Sequence, residues 1–316
     1  MWKYVLKRLL LTIPIIIGVI FVVFTILSFA PGDVTIQILG NQWTPEAAEE
    51  IRHEFGLDQP FFTQFFNYMK NLCTGNFGIS YLTREPVANM LKVAFPNTVL
   101  LVFTSIILAV VISIPIGILA ALKPNSVFSG ATTIFSLIGV SAPGFWIGLL
   151  LVIFFSLRLG WLPSAGLESW KSVILPTIVL SLSYLASMSR MMRSSMIEAL
   201  QMDYIRTAKA KGVKEKAIIF KHALKNAMLP TLTTIGFIMA GMFGGATICE
   251  TVFAIPGMGR LMVDNVQKRD INPVLGSVVL MAICVALTSI LTDVAFAYFD
   301  PRIKAQYVSG GKKKHE

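Results

Sequence analysis

Few side chains in this sequence could do chemistry, and their placement limits what that chemistry is. Asp293 is the one ionisable residue set inside a long apolar segment, seven residues before Asp300. Charge at such depth is costly and usually functional. Asp293 therefore reads either as a group essential to ion-coupled transport or as the partner of a nearby basic residue or helix. His53, His222 and His315 all fall outside the apolar segments, so no histidine relay exists there. Cys73, Cys249 and Cys284 are odd in number and unpatterned, which argues against a disulfide framework or a cysteine metal site. No G-x-x-x-x-G-K-[ST] occurs, so the chain cannot cradle a nucleotide phosphate by that route. Paired carboxylates, a His-Cys pair and H-E-x-x-H are also missing, against an intramembrane enzyme. Apart from ion coupling through Asp293, energy for any work done here would come from another polypeptide.

Charge concentrates in one place, residues 190–228. Arg190, Arg193, Arg206, Lys209, Lys211, Lys214, Lys216, Lys221 and Lys225 stand there against Glu198, Asp203 and Glu215. Within it lies Asp203-Tyr204-Ile205-Arg206-Thr207-Ala208-Lys209-Ala210-Lys211-Gly212. Asp203 can cap a helix N-terminus. Ala208, Lys209, Ala210 and Lys211 favour helix, and Gly212 can end it in the left-handed conformation. Two turns of helix are expected, with Ala208 and Ala210 leaving room for close docking and Arg206, Lys209 and Lys211 supplying charge. A second helix, 214–227, should return the chain to Pro230. Charge alone favours a solvated basic loop against lipid headgroups.

The elements that must position these residues are set by hydropathy. Hydrophobic residues make up 55% of the 316 and charged residues 14%, where a soluble domain has roughly 25% charged. Six runs lack Asp, Glu, Lys and Arg: Leu9–Ala30, Val93–Leu122, Pro124–Leu157, Ser172–Ser189, Asn226–Cys249 and Ile271–Thr292. A spanning helix needs about 20 apolar residues, and these runs are apolar on every side, unlike barrel strands. The fold class is an all-α polytopic membrane protein with six transmembrane helices. A soluble enzyme and a disordered scaffold are excluded. The net charge of +10 is no sign of nucleic-acid binding, because it is sided. With the N-terminus inside, inner segments hold 18 of the 27 Lys and Arg, the positive-inside bias. Both termini are then cytoplasmic.

The divisions expected are 1–30, a cytoplasmic tip and first span; 31–96, an extracytoplasmic segment; 97–299, a core of five spans with the loop 190–228; and 300–316, a cytoplasmic tail. The basic start Lys3, Lys7 and Arg8 resembles a signal peptide. The 22 uncharged residues that follow are too many for one, so they read as a retained helix. Thr44 and Pro45 open a short solvated helix. Phe61, Phe65, Tyr68 and Leu72 share one helical face, packed on the bundle or lying in the outer interface. Ser141-Ala142-Pro143-Gly144 breaks the third span; Pro143 and Gly144 read as a kink beside a pathway or as packing alone. Trp161, Trp170 and Pro163 fit an outer aromatic belt. Span four is expected from about Lys171 to Met192, span five from near Pro230, and span six from about Pro273 to Phe299. Gly236, Gly241, Gly244 and Gly245 read as close helix packing. Gly310-Gly311-Lys312-Lys313-Lys314 reads as a disordered tail.

The 203–212 segment resembles the "EAA" signature of ABC importer permeases, a short cytoplasmic helix that docks in a cleft of the ATP-binding subunit. The whole chain from Met1 to Lys304 resembles the dipeptide/oligopeptide/nickel permease family, in its first-subunit branch. The likeness runs through Leu6-Lys7-Arg8-Leu9-Leu10, Phe55-Gly56-Leu57-Asp58-Gln59-Pro60 and Gly75-Asn76-Phe77-Gly78-Ile79-Ser80. It continues through 203–212, His222-Ala223-Leu224-Lys225-Asn226-Ala227, Glu250-Thr251-Val252-Phe253-Ala254-Ile255-Pro256-Gly257-Met258-Gly259 and Asp300-Pro301-Arg302. Arg206-Thr207 replaces the general Glu-Ala start, and eighteen residues separate Gly212 from Pro230; both departures resemble features of this branch.

The resemblance implies a type I ABC importer permease fold in a bacterial inner membrane, with no ATPase site of its own. It implies a second homologous permease subunit, two ATP-binding subunits carrying ATP and Mg, and an extracytoplasmic substrate-binding protein. It implies no cofactor on this chain. Asp203, Tyr204, Arg206, Thr207, Ala208, Lys209, Ala210, Lys211 and Gly212 would form the ATPase-coupling helix. Glu250, Phe253, Pro256 and Gly257 would face the pathway or the binding protein. The cargo implied is di- or oligopeptides. A nickel chelate on the same architecture, and an ion-coupled carrier depending on Asp293, are the alternatives.

Overall fold

The structure, a computed structural model, describes residues 2–299. The tail residues 300–316, including Gly310–Lys314, lie outside the described residues. Five helices among those described are long and apolar enough to cross a membrane, and a bent pair makes a sixth. α1 (Trp2–Phe29) is followed by the outer helices α2 (Val34–Leu39), α3 (Pro45–Glu54) and α4 (Phe61–Cys73). α5 (Val87–Leu122) is the longest span.

The direction of each span follows from which residues meet. Thr104 on α5 hydrogen-bonds Thr177 on α8 (Trp170–Gln201) at 2.9 Å, and further on a Cβ at Gly117 would lie 2.6 Å from Met192 Cβ. Both numbers rise together, so α5 and α8 are parallel. The chain between them must recross the membrane, and α6 (Val127–Ser141) and α7 (Gly144–Leu151, extended to Arg158 by wider π-type turns) do so. These two form one span bent by 103° at Ala142 and Pro143, both extended. The Pro-Gly break is thus a sharp corner, far beyond a simple proline kink. Proline at 143 withholds an N–H and disfavours helical geometry at residue 142.

α11 (Leu224–Val252) runs antiparallel to α8, pairing Thr231 with Met192 and Gly245 with Leu180. The helix of span five is not broken before Pro230. α10 (Glu215–Ala217), π-type turns over 218–223 and α11 make one continuous helix with Pro230 inside it. Ala227 and Thr231 are buried on either side of the proline, and that packing outweighs the lost backbone bond. The helix of span four does not stop near Met192 either; it runs on to Gln201. The charges at Arg190 and Arg193 mark the membrane boundary, which a helix can pass.

α12 (Met258–Gln267) lies outside, and α13 (Ile271–Phe299) returns inward against α1 and α11. Arg8 Nη1 pairs with Asp293 at 2.8 Å, so Asp293 has the basic partner that one of its two readings expected. Gly236 is close packing: a Cβ there would meet Thr292 Cγ2 at 2.2 Å. Gly241 and Gly245 lie under Tyr184, but Gly244 has nothing within 4 Å and lines a cavity instead. Thr44 caps α3 by accepting from Ala47 N at 3.2 Å. Phe61, Phe65, Tyr68 and Leu72 pack on Ile20 and Phe24 of α1, while Phe62 and Phe66 stay exposed.

Candidate functional site

The inner face is built on the two helices that overrun the membrane. The charge-free run of α8 ends at Ser189, twelve residues before the helix does; the helix of α10 and α11 starts eleven residues before its own charge-free run at Asn226. At 1.5 Å per residue each overrun is about 16–18 Å, well past a headgroup layer of about 5–8 Å. Between their tips sits α9 (Asp203–Ala210). The basic segment 190–228 is therefore the ends of two long helices with a short helix between them, not one loop.

α9 is fixed by its apolar side. Ile205 is 1% exposed and Ala208 is buried, packed with Met196, Ala199, Ile218 and Ile219. Ala208 therefore faces this chain and offers no room to a partner, which corrects the docking role expected for it. The i,i+3 spacing of Ile205 and Ala208 carried that signal. Tyr204, Arg206, Thr207, Lys209, Ala210 and Lys211 are exposed. Asp203 does not cap the helix: Met202, in extended conformation, holds the N-cap position. The Asp203 side chain is 97% exposed and lies 3.7 Å from Arg206. Gly212 ends the helix as expected, with φ +73°. Gly212 N donates to Lys209 O at 2.9 Å and Val213 N to Ala208 O at 3.2 Å. These are the two bonds of a Schellman cap.

At the outer end of α11, Glu250 is fully buried. Its carboxylate accepts from Thr98 Oγ1 and, at 3.0 Å, from Arg260 N. Thr98 Oγ1 in turn accepts from Met258 N at 2.8 Å. The carboxylate thus sits at the N-terminus of α12, where free N–H groups and the helix dipole favour an anion. Phe253 and Gly257 are buried beside it and Pro256 is exposed. Gly144 has open space around it, and Pro143 is exposed at the corner of the broken span.

The outer segment is clamped to the α12–α13 turn by contacts the sequence alone did not reveal. Buried Asp270 accepts from Ser80 Oγ, from Tyr81 N at 3.1 Å and from Leu82 N at 3.4 Å. Burial, with the Asp270 charge added, pushes the Tyr81 phenol well up. Arg84 pairs with Glu54, Arg52 with Asp33, and Arg269 donates to Pro31 O. Burial works to raise the Asp33 carboxyl, but bonds from Thr35 and Arg52 and the Arg52 charge outweigh it, so the net shift is downward.

Comparison with known proteins agrees with this architecture. Residues 113–305 match the family described as binding-protein-dependent transport system inner membrane component, and residues 1–102 match its N-terminal companion. The oligopeptide transport system permease protein AppB of Bacillus subtilis (strain 168) is 36% identical over 315 residues, covering 96% of this chain and 100% of that one. The glutathione transport system permease protein GsiC of Escherichia coli (strain K12) is 38% identical over 304 residues, covering 96% and 99%. Among solved structures, the inward-facing MetNI methionine ABC transporter matches with a TM-score of 0.55 at 18% identity, over 67% of this chain and 96% of that one. That likeness is one of fold.

Proposed function

This chain belongs to the family of binding-protein-dependent transport system inner membrane components, and from that premise we propose that it is the permease subunit of an ATP-driven importer of short peptides. Two relatives that match nearly end to end carry oligopeptides and glutathione by name, and both cargoes are short peptides. The chain would form half of the pathway with a second, homologous permease subunit. ATP and Mg would be held by two ATP-binding subunits beneath, and a binding protein would deliver cargo from outside. The ion-coupled alternative is weakened by the Arg8–Asp293 pair, which commits the one candidate carboxylate.

The observation that carries the coupling role is the placement of α9. It stands about 16 Å or more beyond the membrane boundary, anchored by Ile205 and Ala208, with Tyr204, Thr207 and Ala210 turned outward. A cleft in an ATP-binding subunit could receive that outward face. Force on α9 would pass directly into α8 and α11, since both run unbroken from its two ends into the membrane.

The test is Ala210→Trp in the complete transporter. Insertion and cargo loading of the binding protein should be unchanged, because the side chain touches neither the bundle nor the outer face. Uptake and binding-protein-stimulated ATP hydrolysis should fall together, by roughly tenfold for the loss of about 1.4 kcal/mol of docking. Wild-type rates at normal expression would remove the coupling role.

A further inference from the structure

We propose that α5, α6 and α8 form a binding site for the phosphate of an anionic phospholipid at the inner membrane boundary. A small cavity of about 80 Å³ lies between them, lined by Ile116 and Ala120 of α5, Thr132, Thr133 and Ser136 of α6, and Arg190 and Arg193 of α8. Two arginines therefore line one cavity. Among the described residues neither takes part in a salt bridge, and Arg193 is held by Nε donating to Ser129 Oγ at 2.9 Å. Thr132 and Thr133 both donate their hydroxyl hydrogens to Ser129 O at 2.9 Å. Those two hydroxyls are thus committed to backbone, Ser136 Oγ is paired with Ser189 Oγ at 3.4 Å, and the arginine N–H groups are the charged donors left for a ligand. A planar guanidinium matches a phosphate oxygen pair in geometry and charge.

Depth identifies the source of that phosphate. The charge-free run of α5 stops at Lys123, three residues past Ala120, and that of α8 stops at Arg190 itself. Both helices therefore put the cavity at headgroup level, where the cytoplasmic leaflet is anionic and basic pockets between spans attract its lipids. Phe128, Ile134, Phe135, Leu137 and Ile138 of α6 are exposed and apolar alongside, a surface suited to acyl chains. The volume suits one headgroup phosphate, whereas sites for larger ligands occupy about 300–1,000 Å³. This site stands apart from the peptide-import reading and does not depend on it.

The experiment is native mass spectrometry of the assembled transporter, titrated with phosphatidylglycerol or with phosphatidylcholine. The wild type should retain phosphatidylglycerol in preference. The double variant Arg190→Gln/Arg193→Gln should lose that preference by roughly tenfold or more, with phosphatidylcholine retention unchanged. The Arg190→Lys/Arg193→Lys pair should keep most of it. If the glutamine pair fails to assemble, the exposed single variant Arg190→Gln should show an intermediate loss. Equal phosphatidylglycerol retention by the glutamine variants overturns the proposal. Displacement of the lipid by millimolar inorganic phosphate would assign the site to a free oxyanion and overturn the lipid source. Lost peptide uptake with lipid retention intact would place the arginines on the cargo path and overturn it too.

Discussion

Glu250 and Gly257, seven residues apart, are packed so closely that a Cβ on Gly257 would lie 2.2 Å from the Glu250 carboxyl carbon. The glycine is required by this approach, since its own φ of −105° is open to any residue. Gly257→Ala should therefore destabilise the outer turn by about 1–3 kcal/mol, because the carboxylate it strikes is fixed by Thr98 and Arg260. Hydrogen exchange over 253–267 checks this; unchanged protection would show that the carboxylate can yield.

A second close approach joins two spans. Gly236→Ala should push α11 from α13 by colliding with Thr292, at about 1–3 kcal/mol. Thr292→Ser removes the nearer Cγ2 atom and should restore part of the loss. Thermal unfolding of the two single variants and the double variant measures the coupling. Strict additivity would refute the contact.

Gly212→Val should cost about 1–2 kcal/mol, because only glycine takes φ +73° freely. The loss should appear as fraying of 208–213 in hydrogen exchange, together with reduced coupled ATP hydrolysis in the complete transporter. Normal protection across that turn would contradict the Schellman cap.

The α3–α4 connection should depend on pH. The hydrogen bond to Asp58, 2.9 Å from His53 Nδ1, holds His53 above its ordinary 6.5, and the same bond holds Asp58 below 3.8. The histidine contribution is full below pH 6.5 and is lost as pH rises through its raised folded value. The aspartate contribution is present above 3.8 and is lost as pH falls through its lowered folded value. Local protection of 53–60 should be greatest between those limits and decline above neutrality. Asp58→Asn should flatten the profile and return His53 towards 6.5; an unaltered titration would refute the pair.

Topology is open to thiol labelling. In a Cys73→Ser background, needed because native Cys73 is exposed on the outer side, Glu46→Cys should react with an impermeant reagent from outside. Lys214→Cys should react only after the membrane is opened. The reverse pattern would invert the model of six spans and inner termini.

Hydropathy and charge in the sequence determined the spans, their direction, the caps at Thr44 and Gly212, and the short helix at 203–210. These are local or additive properties: transfer of apolar side chains into lipid and the backbone preference of single residues act wherever the chain lies. The same signals stopped span four near Met192, where α8 runs on to Gln201, and divided at Pro230 a helix that runs through it. Charge reports where water begins, and helices cross that boundary freely. The spacing of Ile205 and Ala208 marked an apolar side of α9, but only tertiary structure decided what covers it. Ile205 and Ala208 are buried by Met196 and Ile218 arriving from two different helices. The Arg8–Asp293 pair and the clasp of Thr98 and Glu250 have the same origin. Each joins groups brought together by packing, some more than 150 residues apart, and no local pattern encodes a partner that distant.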